Sequence, residues 1–152
     1  MNNWFECKVN YDKNGEDGLL KKVSENYLVD AMNFTEAEER INAEMEPFIS
    51  GEFVVASIKK VKINEMLDSD VEADDRWYKC KVLFLSIDED KGIEKTIASF
   101  IFVKAFTLDK ATEYVIKHLK TTLLDYRIVS VTETLILDVF KYQLVTKKTI
   151  QN

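Results

Sequence analysis

The stretch Trp4-Phe5-Glu6-Cys7-Lys8-Val9 returns 73 positions later as Trp77-Tyr78-Lys79-Cys80-Lys81-Val82. The chain has two Trp and two Cys, and both pairs fall within this one correspondence. The match continues outward. Asp30-Ala31-Met32-Asn33-Phe34-Thr35-Glu36-Ala37 aligns with Lys104-Ala105-Phe106-Thr107-Leu108-Asp109-Lys110-Ala111 at an offset of 74. Phe53-Val54-Val55-Ala56-Ser57-Ile58 aligns with Tyr126-Arg127-Ile128-Val129-Ser130-Val131, where the offset is 73 again. One insertion in a hairpin and one deletion after a helix account for the slip. Self-similarity at a fixed period marks a repeated structural unit, so the chain reads as an internal tandem duplication.

Each copy opens with an alternating, strand-like run, Trp4–Tyr11 and Trp77–Ile87. Turns follow at Asp12-Lys13-Asn14-Gly15 and Asp88-Glu89-Asp90-Lys91-Gly92, where a glycine can take the positive φ that a tight connection needs. Second strands are predicted over Leu20–Met32 and Glu94–Phe106, on β-branched and aromatic content. The period then becomes helical. Thr35-Glu36-Ala37-Glu38 has capping-box spacing, with Thr35 at the cap and Asp109 as its counterpart. Apolar stripes follow at Ala37, Ile41, Met45 and Phe48, and at Ala111, Val115, Leu119 and Leu123, with Pro47 ending the first helix. Third strands are expected over Glu52–Ile63 and Tyr126–Val139. The unit is strand–strand–helix–strand, used twice, which gives a two-layer α+β fold. One such module is marginal at this size, so the copies are expected to pair about a pseudo-two-fold axis. The expected organisation is one compact domain over 1–152, with repeats at about 1–67 and 76–145, an acidic connector at 68–75 and a tail at 146–152.

Among the 152 residues, four Gly and one Pro leave most of the chain to regular structure, and an apolar share of 46% supports a core. No apolar run is long enough for a transmembrane helix. Met1-Asn2-Asn3-Trp4 has neither the basic start nor the apolar stretch of a signal peptide. Cys7 and Cys80 each lie inside a strand-like run, so reduced, buried thiols and a cytoplasmic setting are expected. Charge is uneven. Residues 1–76 hold 18 acidic and 9 basic side chains, a net of −9, and residues 77–152 hold 9 and 12, a net of +3. Part of the imbalance is the junction from Glu65 to Asp75, six of whose eleven residues are acidic. Such a run reads as a solvated connector.

Three stretches resemble an uncharacterised family of about this length from gut-associated bacteria and their phages or mobile elements. They are Trp4-Phe5-Glu6-Cys7-Lys8-Val9-Asn10-Tyr11-Asp12, Glu46-Pro47-Phe48-Ile49-Ser50-Gly51-Glu52-Phe53 and Glu72-Ala73-Asp74-Asp75-Arg76-Trp77. The resemblance spans nearly the whole chain. It implies a phage or mobile-element origin and carries over no catalytic residues.

Alternation puts Phe5, Cys7 and Val9 on one face of the first strand and Trp4, Glu6 and Lys8 on the other. In the second copy Tyr78, Cys80 and Val82 oppose Trp77, Lys79 and Lys81. Aromatic rings beside cations on an open sheet hold single-stranded nucleic acid by stacking and phosphate attraction. The candidate interface is therefore Trp4, Lys8, Trp77, Lys79 and Lys81, with the Lys59-Lys60-Val61-Lys62 cluster and a second basic cluster from Lys141 to Lys147-Lys148. The plainer readings are Trp packed over a sheet edge and lysines that keep strand edges soluble. A net charge of −6 opposes duplex binding. The alternative function is a protein-interaction or inhibitor module that engages a basic partner, or a second copy, through the acidic half.

Chemistry-bearing motifs are sparse. Asp68-x-Asp70-x-Glu72-x-Asp74 imitates the start of a calcium loop, but Ala73 and Lys79 occupy its glycine and bidentate-Glu positions. One histidine, His118, and two distant cysteines make no zinc site. The repeat counterpart of His118 is Glu44, so no chemical role is shared there. Ser57 and Ser130 recur as small residues, read as buried. There is no phosphate loop, dinucleotide fingerprint or nucleophile elbow. The sequence thus predicts a non-enzymatic binding module, with single-stranded nucleic acid in phage or mobile-element DNA metabolism as the leading ligand, and without cofactor, metal or membrane.

Overall fold

The computed structural model describes residues 3–141. Its elements run β1 (Asn3–Asn14), β2 (Leu20–Ala31), α1 (Phe34–Met45), β3 (Phe53–Val61), β4 (Glu65–Leu67), β5 (Arg76–Asp88), β6 (Ile93–Ala105), α2 (Leu108–His118), β7 (Tyr126–Glu133) and β8 (Ile136–Phe140). A 3-10 turn, Leu119–Thr121, extends α2. The fold is α+β. It comprises two four-stranded mixed sheets, each with one helix, as expected of a duplicated strand–strand–helix–strand unit.

The described chain divides into two compact units: 3–61 with 136–141, and 62–135. In the first, β1 pairs antiparallel with β2 along its whole length and with β3 on its other side, and β8 adds to β2 in parallel. The order is β3-β1-β2-β8. Alternation delivers Phe5, Cys7, Val9, Val29 and Ala31 to one face, where Ala37, Ile41 and Met45 of α1 cover them. Full burial of each Val, Leu, Ile or Phe in such a layer stabilises by about 1.5–3 kcal/mol.

The second unit repeats the plan. Its order is β4-β6-β5-β7, and Ala111, Val115 and Leu119 cover Tyr78, Cys80, Val82, Ile101, Val103 and Ala105. Even the bulge recurs, between Lys8 and Val9 in β1 and between Lys81 and Val82 in β5.

The sequence did not announce the fourth strands. The predicted Tyr126–Val139 strand is in fact two, because the Thr134 amide and hydroxyl both donate to the Trp77 carbonyl, at 2.9 and 2.8 Å, and close β7 there. Beyond that break β8 joins the first unit, in register Tyr27↔Asp138, Leu28↔Val139 and Val29↔Phe140. Reciprocally, β4 follows the first repeat and joins the second unit, in register Glu65↔Ile101, Met66↔Phe102 and Leu67↔Val103. Each sheet is completed by a strand that the other repeat supplies.

Local corrections have local causes. The caps are Asn33 and Thr107, whose side chains accept from Glu36 N–H and Lys110 N–H, not Thr35 and Asp109. Asn33…Glu36 has the box spacing too, and Glu36 reaches back to the Met32 amide. Asp109 sits in the first turn, where the helix dipole favours it. Phe48 (78% exposed) and Leu123 lie beyond the helix ends and leave the predicted stripes. In the first hairpin the positive φ falls at Gly18 (78°) and not at Gly15, whereas Gly92 (62°) serves the second as predicted. Ser57 and Ser130 are exposed beside the two bulges, opposite Lys8 and Lys81.

The connector is not wholly solvated. Asp74 is 3% exposed and accepts hydrogen bonds from Ser69 Oγ at 2.5 Å and the Tyr114 hydroxyl at 2.8 Å, which tie the segment to α2. Asp70, Glu72 and Asp75 remain exposed. The expected tail at 146–152, and the basic cluster past Lys141, lie outside the described residues.

Candidate functional site

The predicted nucleic-acid residues fall on two separate units. In the first, Trp4 is half-buried and Lys8 exposed, both on the face of β1 turned away from α1. Glu6 lies between them; it accepts from Asn26 Nδ2 at 2.6 Å and stands 3.9 Å from Lys59 Nζ. Lys59 and Lys60 are exposed on β3, and Lys62 is exposed past its end. In the second unit Trp77 is only 2% exposed, so its ring is no open stacking platform. Lys79 and Lys81 instead flank a different ring: their Nζ atoms lie 4.8 and 6.0 Å from the centroid of half-buried Phe100. The signal for Phe100 was the hairpin register, which sets it across from Lys81. Cys7 and Cys80 are free, buried thiols. Burial, then the Glu6 charge, pushes Cys7 up to about 12, and burial alone pushes Cys80 up to about 11.

A second constellation was not foreseen. A twelve-residue strand spans about 40 Å, whereas a twelve-residue helix spans about 18 Å. So α1, halted ahead of Pro47, covers only part of the face that β1 and β2 offer. Where the helix stops, that face carries Tyr11, Glu25 and Tyr27. The chain past Pro47 adds Phe48 and Ile49, and the borrowed strand β8 adds Leu137, Asp138 and Phe140. Together with Met45 these line a pocket of about 340 Å³.

Glu25 is fixed within it. Both the Tyr11 and Tyr27 hydroxyls donate to Glu25 Oε1, at 2.8 and 3.0 Å. Burial, followed by the hydrogen bond to Glu25 and its charge, pushes both phenols above their ordinary value, so both stay protonated donors. The Tyr27 ring stacks on Phe140, with centroids 5.7 Å apart and planes 22° apart. Asp138 Oδ1 accepts the Val139 amide at 2.8 Å. Among the described residues the lining holds two carboxylates, flat aromatic walls and no lysine or arginine.

The second unit serves as an internal comparison. Cys7 pairs with Tyr27 where Cys80 pairs with Ile101, and Val9 pairs with Glu25 where Val82 pairs with Ser99. Tyr11 corresponds to Phe84 at the same offset as the cysteines. Phe84, Ser99 and Ile101 thus replace Tyr11, Glu25 and Tyr27 in a unit of the same plan. The fold does not require the polar trio. Asp138 corresponds to Glu65, which the second unit pairs with His118 at the end of α2. That divergence at matched positions was the one sequence signal for the pocket.

Fold and site together define a duplicated α+β protein with exchanged edge strands, one of whose units carries an open pocket that is both acidic and aromatic. The chain belongs to the family described as Domain of unknown function (DUF4494), whose model matches residues 3–142. No curated protein matches it. Among the described residues no helix is long and apolar enough to cross a membrane, and no group of three or more His, Cys, Asp or Glu could hold a metal ion.

Proposed function

We propose that this protein is a non-catalytic interaction module that engages a basic partner protein through the first unit's pocket. The carrying observation is the Tyr11–Glu25–Tyr27 trio, which one copy of the duplicated fold has and the other dispenses with. Half-buried polar groups that line a pocket and that the fold does not need are natural candidates for recognition. From the sequence resemblance we propose an origin in gut-associated bacteria or their phages or mobile elements, and from the two buried thiols a cytoplasmic setting. The test is affinity capture from such a host's lysate with wild type and with Glu25→Gln/Asp138→Asn. Specific basic proteins should be retained by wild type and released by the double variant. An unchanged capture profile would overturn the reading.

A second reading is single-stranded nucleic acid on the other unit, favoured by Lys79 and Lys81 flanking Phe100. Oligonucleotide anisotropy should then fall steeply with added salt and vanish in Phe100→Ala or Lys79→Glu/Lys81→Glu. A signal indifferent to all three substitutions would refute it.

A further inference from the structure

We propose that the group which enters the pocket is an arginine side chain, and that the pocket is an arginine-recognition site; this rests on the interaction reading and names its ligand. Among the described residues each carboxylate has one oxygen engaged and one left to offer. Glu25 Oε1 holds both tyrosine hydroxyls, and Asp138 Oδ1 holds the Val139 amide, which leaves Glu25 Oε2 and Asp138 Oδ2. Two such acceptors, with no basic residue among the described lining residues, call for a cation and repel phosphate. The nucleic-acid reading therefore cannot use this site.

Among cations the walls discriminate. Tyr27 and Phe140 form a nearly flat stack, and Met45, Ile49 and Leu137 make much of the remainder apolar. An ammonium is a compact, strongly hydrated charge, costly to strip beside such walls. A guanidinium is planar and weakly hydrated, stacks on aromatic faces and offers several N–H groups to separate carboxylates. Size agrees: about 340 Å³ is at the small end of ligand pockets, suited to one side chain rather than a nucleotide. The fixed Glu25 adds preorganisation, since its carboxylate is oriented before any ligand arrives.

The test uses the whole chain labelled with ¹⁵N and three small probes: the Nα-acetyl amides of arginine, lysine and citrulline. Arginine amide should shift amide signals around Tyr11, Glu25, Tyr27 and Asp138 and saturate. Citrulline amide, of the same shape without the charge, should bind about tenfold or more weakly, the loss expected when a charge-assisted hydrogen bond goes. Lysine amide should fall between them. Glu25→Ser, which places there the residue that the second unit tolerates, should weaken arginine binding about tenfold while leaving the thermal midpoint near wild type. Tyr27→Phe keeps the ring and should weaken it less. Equal binding of arginine and citrulline amides, tighter binding of lysine amide, or no response to Glu25→Ser would each overturn the assignment. If arginine amide fails while lysate capture still depends on Glu25 and Asp138, the interaction reading stands and the arginine assignment falls. If capture is indifferent as well, both fall.

Discussion

Asp74 is the one polar or charged side chain fully buried among the described residues, and its removal tests how the acidic connector is held. The Asp74 carboxylate accepts from Ser69 Oγ, the Tyr114 hydroxyl and the Phe106 amide. A hydrogen bond to a charged group contributes about 1.5–3 kcal/mol. The two hydroxyls regain water once released, so the three bonds do not simply add. We expect Asp74→Ala to cost about 3 kcal/mol and Asp74→Asn, which keeps an acceptor but not the charge, about half of that. The pH dependence separates charge from packing. Burial pushes the Asp74 carboxyl up, but the three hydrogen bonds and the Lys110 charge outweigh it and hold it below the ordinary carboxylate value. A depressed folded value means that the stabilisation is complete above the unfolded value, about 3.9, and is lost as pH falls through the folded value. Urea midpoints for wild type and Asp74→Asn should therefore differ most near neutrality and converge below about pH 4. The comparison is between the two proteins because other carboxylates titrate over the same range in both. A gap that persists undiminished to about pH 2.5 would refute the charge argument. Equal midpoints at neutrality would refute the tie itself.

Three further outcomes are expected. A thiol reagent should modify neither Cys7 nor Cys80 in the native protein near neutral pH, since burial holds them up to about 12 and about 11, and both should react once urea unfolds the chain. Rapid modification of the native protein would contradict that burial. In an absorbance titration Tyr11 and Tyr27 should ionise above the ordinary tyrosine range, and Glu25→Gln should bring both down, because it removes the negative charge that opposes phenolate. Asn33→Ala should cost about 1 kcal/mol by loss of the α1 cap, whereas Thr35→Ala should cost little; chemical denaturation distinguishes the two.

The parts of the fold that were legible in the sequence are those written in local periodicity. The alternation at Phe5, Cys7 and Val9, and the stripe at Ala37, Ile41 and Met45, follow from one strand and one helix packing face to face. The caps were misread by two residues because Asn33, Thr35, Thr107 and Asp109 are all capable acceptors, of which Asn33 and Thr107 are the ones used. The exchange of β4 and β8 could not be read at all. A three-residue edge strand such as Glu65-Met66-Leu67 has no periodicity to detect, and its partner is chosen by sheet geometry across the chain. Trp77 failed as a platform for a related reason: alternation assigns it a face but does not say whether that face is open to water.

Duplication converts this shortfall into an argument about function. Two copies of one fold, built on the same register and the same bulge, are a natural experiment in which each position has been filled twice. Where the copies agree, as at Cys7 and Cys80 or Ala37 and Ala111, the residue answers to packing that both sheets share. Where they disagree by a change of chemistry inside a cavity, the fold has shown that it can be built either way. Tyr11, Glu25 and Tyr27 against Phe84, Ser99 and Ile101 is such a case. A half-buried, charged cluster bears part of the cost of desolvation, and the second unit demonstrates an uncharged solution that avoids it. The charged solution in one unit therefore calls for something that the uncharged one cannot provide. The arginine side chain proposed above would supply that difference.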